Sequence, residues 1–132
     1  MYLLDTHVVL NAILAPEKLS PTHRNLFANE ASTFYFSNIS IWKIALKYNI
    51  GKLNLQNHNP ELFLSLCLQS GFKLAEASVD VIASFSQMPL SENHKDPFDR
   101  MLIWQCMQSK KILLSEDGKF DQYRKLGLQL IS

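Results

Sequence analysis

The sequence contains little cysteine, little glycine and almost no net charge. Its two cysteines, Cys67 and Cys106, lie far apart in apolar stretches and lack the spacing of a metal site. We interpret them as buried thiols of a reducing compartment. The formal net charge of +1 excludes a broad basic surface, so any contact with nucleic acid has to be local.

Long apolar runs are also missing. No stretch approaches the roughly 18 apolar residues that cross a bilayer, and the amino terminus reaches Asp5 too soon for a signal peptide. We therefore expect a soluble, cytoplasmic protein with no membrane contact. The 47% of hydrophobic and 19% of charged residues exclude disorder. The sequence contains no repeat or linker, and its length suits one domain. We therefore predict a single domain, 1–132, with a sizeable core.

Short apolar segments suited to strands alternate with helical segments. Strands are predicted at 2–4, 33–36, 72–74, 112–114 and 128–131. Helices are predicted at 6–14 with Thr6 as cap, 20–29, from Asn38 or Ser40 to Gly51, 59–71, 78–87, 98–109 and 118–125. This alternation predicts an α/β fold with a mostly parallel sheet, in which ligands bind at the carboxyl ends of the strands.

Three aspartates stand near that edge of the predicted sheet. Asp5 and Asp117 follow strands, and Asp99 lies in the first turn of a helix. Each has an ordinary explanation: Asp5 ends a strand and caps the following helix, Asp96 caps the helix that holds Asp99, and Asp117 with Gly118 makes a turn. If the three converge, two unit charges about 4 Å apart repel by about 4 kcal/mol at an effective dielectric of about 20. Such a cluster raises its own pKa values or recruits a cation such as magnesium.

Four stretches in order carry a family resemblance: YLLDTH at 2–7, SIWKIALK at 40–47 with GKL at 51–53, HKDPFDR at 94–100, and SED at 115–117 with Phe120. In these stretches the chain resembles PIN-domain ribonucleases of the VapC toxin type. The resemblance implies a three-layer α/β/α domain and RNA cleavage dependent on Mg²⁺ or Mn²⁺. It also implies a VapB antitoxin as partner and a homodimer.

Matched position by position, the resemblance assigns metal binding to Asp5, Asp99 and Asp117. Asp96 belongs to the same catalytic motif, either as a ligand through water or only as the helix cap. Small hydroxyls flank these acids at Thr6 and Ser115. Candidates for contacts with RNA phosphates, each by itself more often plain solvated surface, are Lys52, Lys95, Arg100, Lys110 and Lys111.

The chain departs from the family pattern at Lys43, where the pattern has a glutamate that serves as the second acid of the site. In a simple count the site charge changes from about −4, for three aspartates and a glutamate, to about −2, for three aspartates and a lysine. A protonated amine cannot bind a metal. It could pair with Asp5 or Asp99 instead, or point to solvent beside Lys47.

Two functions remain open from the sequence. The first is a VapC-type endoribonuclease with reduced or no activity, and the second is a degenerate, non-catalytic module that binds antitoxin and takes part in operon regulation. A DNA nuclease is a weaker third, because the short chain offers no helical arch or DNA-binding insertion. Natural decay and an introduced inactivating change are both compatible with Lys43.

Overall fold

A computed structural model describes all residues, 1–132, and contains one five-stranded sheet. The strands are β1 (Tyr2–Leu4), β2 (Phe34–Ser37), β3 (Lys73–Ala75), β4 (Ile112–Leu114) and β5 (Leu130–Ile131). Their order is β3-β2-β1-β4-β5, and every neighbouring pair is parallel. All five predicted strands are confirmed, with ends that differ by at most two residues.

The α-helices are α1 (Thr6–Leu14), α2 (Pro21–Phe27), α3 (Asn38–Asn49), α4 (Pro60–Gln69), α5 (Val79–Ser84) and α6 (Pro97–Ser109). Short polar side chains cap all six amino termini, at Asp5, Ser20, Ser37, Asn59, Ser78 and Asp96. Of the two caps predicted for α1, Asp5 is confirmed and Thr6 is not, because the Asp5 carboxylate accepts the Thr6 N–H. The segments Pro16–Lys18, Phe85–Gln87 and Gly118–Leu126 are 3-10 helices.

Two hydrophobic cores lie on opposite faces of the sheet. Leu3 and Leu113 contribute to one core, which α5, α6 and the 3-10 helix at Gly118–Leu126 cover. The next residues in sequence, Leu4 and Leu114, contribute to the other core, which α1, α2, α3 and α4 cover. This alternation is the period-two geometry of a strand. The central strands are therefore covered on both faces, which confirms the three-layer α/β/α architecture.

The chain order of the strands produces a crevice between β1 and β4. From β1 the sheet grows through β2 to β3 on one side, and then through β4 to β5 on the other. Leu4 and Leu114 are register partners, so Asp5 and Ser115 leave the two strands side by side. Ligands of open parallel sheets bind at such a switch point. None of the helices has the length and apolar character needed to cross a membrane.

Candidate active site

Asp5 is the only fully buried carboxylate of the chain, with 2% of the residue exposed. Its Oδ1 accepts the Thr6 N–H over 2.7 Å, and its Oδ2 accepts the Ser115 hydroxyl over 2.8 Å. Burial raises the pKa of Asp5 to about 6. The hydrogen bond from Ser115 opposes this shift, and the charge of Asp99 adds to it. Asp5 and Asp99 are therefore close enough to interact electrostatically.

A pair of hydroxyls fixes α3 against the start of α1. Thr6 Oγ1 and Ser40 Oγ lie 2.9 Å apart, and both residues are buried. Lys43 follows Ser40 by three positions, so the two side chains share one face of α3. That face is turned inward, since only 7% of the Lys43 side chain is exposed. The alternative in which Lys43 points to solvent is therefore wrong.

Lys43 forms two ion pairs with the first turn of α6. Its Nζ lies 3.0 Å from Oδ1 of Asp99 and 3.3 Å from Oδ2 of Asp96. Burial alone would lower the pKa of Lys43, but the hydrogen bond and charge of Asp99, reinforced by Asp96, hold this pKa above its ordinary value. The lysine thus stays protonated and joins α3 to α6.

Asp96 has a structural role as the cap of α6. Its Oδ1 accepts the N–H groups of Phe98 and Asp99 over 2.9 and 3.0 Å, and its other oxygen accepts from Lys43. Burial acts to raise the pKa of Asp96, but the N–H of Asp99 and the charge of Lys43 outweigh it, and the pKa lies below its ordinary value. Both oxygens of this carboxylate therefore have donors from the chain itself.

A chain of hydrogen bonds reaches Asp99 from its other side. The Arg100 Nε–H donates to the Tyr123 hydroxyl oxygen over 3.4 Å, and that oxygen lies 2.9 Å from Nδ1 of His94. The hydroxyl has one proton, which it can give to Nδ1, so a neutral His94 carries its own proton on Nε2. Nε2 lies 3.4 Å from Oδ2 of Asp99 and donates to it. Asp99 therefore accepts from Lys43 on one oxygen and from His94 on the other.

Asp117 is connected to Asp5 through Ser115. Its Oδ1 accepts the Lys119 N–H over 2.9 Å, and its own N–H donates to Oγ of Ser115 over 3.1 Å. The single hydroxyl of Ser115 thus connects Asp5 and Asp117. A cavity of about 320 Å³ opens beside them and is lined by Asp5, His7, Val8, Asn11, Glu116 and Asp117.

These side chains do not form the predicted metal-binding cluster. No group of three or more His, Cys, Asp or Glu side chains is arranged to hold a metal ion. Asp5 and Asp117 share a cavity, but Asp99 is paired with Lys43 and His94. Magnesium requires oxygen ligands in a near-octahedral arrangement, and an ammonium offers only donors. The donor set at this edge therefore does not fit a magnesium ion.

Two of the predicted phosphate-binding lysines lie beside this edge. Lys52 lines a cavity of about 130 Å³ together with Thr6, His7, Lys43 and Lys47. Lys95 is exposed and precedes Asp96 in the chain. Both residues are exposed.

The other three candidates for phosphate contacts are not supported by their positions. The Arg100 guanidinium contacts the Pro89 carbonyl and the Tyr123 hydroxyl and lies 5.5 Å from the Phe85 ring centre, so its donors serve the fold. Lys110 and Lys111 precede β4 and therefore lie at the amino edge of the sheet, opposite the acids. Lys111 Nζ there lies 4.8 Å from the centre of the Tyr35 ring.

Sequence reasoning missed the roles of Ser40, His94 and Tyr123 at this site. Ser40 and His94 fall inside the stretches that carry the family resemblance, which was the available signal. Tyr123 stands in a polar segment whose apolar pattern does not distinguish it from surface. Its contact with His94 spans 29 positions and follows only from the tertiary fold.

Comparison with known proteins supplies a family and a set of similar folds. The family model described as the PIN domain matches residues 2–126. No curated protein matches the chain. Solved structures of similar fold have been found, and all three described next cover nearly the whole chain.

One similar structure is VapBC2 from Rickettsia felis bound to a DNA fragment from their promoter, with 17% identity, coverage of 98% of this chain and 96% of that one, and a TM-score of 0.62. A second is DNA-bound VapBC from Salmonella typhimurium, with 15% identity, coverage of 98% and 96%, and a TM-score of 0.58. A third is FitAB bound to the IR36 DNA fragment, with 16% identity, coverage of 99% and 94%, and a TM-score of 0.59. At these identities the likeness establishes a shared fold.

Proposed function

The chain belongs to the PIN-domain family, and from that premise we propose that it is a VapC-type toxin subunit built to hydrolyse RNA phosphodiesters. PIN domains are in general nucleases. In this proposal a VapB-type antitoxin neutralises the subunit, and Lys43 leaves the chain in its present form with impaired cleavage or none. The acids of the site are Asp5, Asp96, Asp99 and Asp117.

The observation that carries the proposal is the grouping of acids at the switch point of the sheet. Asp5 and Asp117 are linked through Ser115, and Asp99 lies close enough to raise the pKa of Asp5. A buried carboxylate with a perturbed pKa in a crevice is typical of a functional site. Lys52 and Lys95 at the rim supply the local positive charge that an RNA backbone needs.

Impaired cleavage follows from the contacts of Lys43. Its ammonium holds Oδ1 of Asp99 and Oδ2 of Asp96. The site thereby loses one acid, gains one positive charge, and has the oxygens of Asp99 engaged by donors of the chain itself. We infer that the chain lacks a working divalent-metal site until position 43 carries an acid again.

The antitoxin partner is proposed because solved structures of similar fold are complexes. The similar structures are VapBC and FitAB complexes bound to DNA. Exposed apolar side chains also occur on two neighbouring helices and are of the kind that binding partners cover: Trp42, Leu46 and Ile50 at α3, and Leu62 and Leu68 on α4. A homodimer is part of the same proposal. Both associations are measurable by light scattering of the chain alone and with the protein of a neighbouring small gene.

An RNA cleavage assay tests the nuclease part of the proposal. The chain and its Lys43→Glu variant are incubated with structured RNA in Mg²⁺, Mn²⁺ or EDTA. Lys43→Glu is expected to cut in either metal and not in EDTA, whereas the unaltered chain cuts far more slowly. Lys47→Glu is the matched control, because it makes the same charge change one turn along α3 without a carboxylate partner. Equal cleavage by the chain and by Lys43→Glu would refute the impairment.

The second candidate function is a non-catalytic module that binds antitoxin and contributes to operon regulation. The ion pairs of Lys43 with both α6 acids favour it, because they give these acids a structural use. Absence of cleavage in the chain and in a folded Lys43→Glu variant, together with operator binding by the antitoxin complex, would establish this function in place of the first.

A further inference from the structure

Lys43 stands between two helices as the only cation that contacts the α6 acids. Its Nζ donates to Asp99 over 3.0 Å and to Asp96 over 3.3 Å. Just beside this contact the rings of Trp42 and Phe98 pack edge to face, with centres 4.9 Å apart, and join the same two helices. The ion pairs therefore belong to the α3–α6 interface and are not a loose surface contact.

Every carboxylate oxygen of Asp96 and Asp99 accepts a hydrogen bond from the chain itself. Asp99 accepts from Lys43 and His94, and Asp96 accepts from Lys43 and from two N–H groups of α6. The single positive charge of the ammonium lies between two negative charges. It therefore reduces the repulsion between these carboxylates, as a bound cation would.

We propose that the Lys43 ammonium is the resident cation of this site, a covalently attached substitute for a divalent metal. The chain consequently folds, and holds α3 against α6, without binding magnesium or manganese. This inference rests on the proposed function for one point only, namely that an acid at position 43 would complete a metal site. The contacts of Lys43 alone support the role of its ammonium as the cation.

Metal binding and thermal stability test the inference without reference to activity. Calorimetric titration with MnCl₂ and melting curves in EDTA or MgCl₂ are recorded for the unaltered chain, Lys43→Gln and Lys43→Glu. Lys47→Gln is the control, because it removes a lysine from the same helix that contacts no carboxylate. The probe in every case is the metal salt itself.

The unaltered chain and Lys47→Gln are expected to show no saturable Mn²⁺ binding and the same melting temperature in EDTA and MgCl₂. Lys43→Glu should bind Mn²⁺ saturably, melt lower than the unaltered chain in EDTA, and recover in MgCl₂, since a ligand of the folded state stabilises it. Lys43→Gln should also melt lower in EDTA and bind Mn²⁺ at least about tenfold more weakly than Lys43→Glu, because loss of a ligand should weaken binding no less than loss of a partner that only orients one.

Saturable Mn²⁺ binding by the unaltered chain, with a rise in its melting temperature, would overturn the inference. So would a Lys43→Gln variant that melts like the unaltered chain in EDTA. If Lys43→Glu folds only in MgCl₂, that dependence supports the inference. If it folds in neither medium, the unaltered chain and Lys43→Gln decide by the criteria already given.

The outcome is separable from that of the nuclease proposal. A Lys43→Glu variant that binds Mn²⁺ but leaves RNA intact would uphold Lys43 as the cation and reject the nuclease. An unaltered chain that binds Mn²⁺ and cuts RNA would reject Lys43 as the cation and uphold the nuclease.

Discussion

The Ser115 hydroxyl donates a hydrogen bond to Oδ2 of Asp5 over 2.8 Å, although 110 positions separate the two residues in the chain. The contact exists because β1 and β4 are parallel neighbours in register, so the residues that follow them emerge together. Since the same oxygen of Ser115 accepts the Asp117 N–H, one small side chain orients two acids.

Replacing this hydroxyl should therefore alter the acid that it stabilises. In Ser115→Ala we expect the pKa of Asp5 to rise further above about 6, because the lost hydrogen bond favours the charged carboxylate. We also expect the free energy of unfolding to fall by about 1 kcal/mol. Carbon-detected NMR titration of the Asp5 carboxyl measures the first effect. Ser65→Ala, which removes an exposed hydroxyl, is the control, and an unmoved Asp5 pKa would contradict the prediction.

Burial of Asp5 gives the chain a pH dependence of definite sign. The pKa of Asp5 rises from an ordinary value of 3.8 to about 6 on folding, so between these values the folded state binds the proton more tightly. Its contribution to stability is therefore fully present below the unfolded pKa and is lost as the pH rises through about 6. The total effect is about 3 kcal/mol, at about 1.4 kcal/mol for each pKa unit.

A comparison with Asp5→Asn isolates this contribution, because the asparagine does not titrate. The free energy of unfolding of both proteins is measured in urea at a series of pH values with EDTA present. As the pH rises from 3.8 to about 6 and beyond, the unaltered chain should lose stability relative to Asp5→Asn. A difference that is constant with pH, or that changes in the opposite direction, would show that Asp5 is not buried as described.

The Asp5 side of the site could be predicted from the sequence because it depends on strand ends alone. An apolar run followed by Asp5, and another followed by Ser115, place both residues at one edge once the strands are known to be parallel neighbours. The same logic places Lys110 and Lys111 away from the acids. They precede β4, and the residue that precedes a parallel strand lies at the far edge of the sheet.

On the α6 side, the sequence predicted the pairing of Lys43 with Asp99 only as one alternative beside Asp5, because the choice depends on how two helices rotate against each other. The family pattern directs position 43 inward, and in the structure Lys43 contacts Asp99 and Asp96 while the neighbouring Trp42 packs on Phe98. The rotation of α3 against α6 decides such contacts, whereas apolar periodicity gives only the buried stripe of each helix.

The two thiols should be inert in the folded chain. Cys67 and Cys106 are fully buried, and burial raises the pKa of each to about 12. The reactive thiolate is therefore a negligible fraction near neutral pH. We expect no reaction of the native chain with a disulfide reagent at pH about 8, below the ordinary thiol pKa of about 8.5. Two thiols should react after unfolding in urea, and one rapidly reacting thiol in the native chain would contradict the burial of its cysteine.

Tyr123 should matter to the site although it carries no charge there. Its hydroxyl accepts from Arg100 and donates to Nδ1 of His94, whose Nε2 donates to Asp99. Tyr123→Phe keeps the ring in the core but leaves the buried Nδ1 without a donor, which costs about 1–3 kcal/mol of unfolding free energy. The same change on the half-exposed ring of Tyr48 is the control and should cost less than about 0.5 kcal/mol.

The loss of that donor should also be visible on His94 itself. Without the Tyr123 hydroxyl, no donor stabilises the unprotonated form of Nδ1. The tautomer that donates from Nε2 to Asp99 is therefore less favoured. Nitrogen NMR of the histidine ring distinguishes the two tautomers directly. We expect the Nε2–H form in the unaltered chain and a mixture in Tyr123→Phe. An unaltered chain with its proton on Nδ1 would donate from His94 to the Tyr123 hydroxyl and would remove the His94 donor from Asp99.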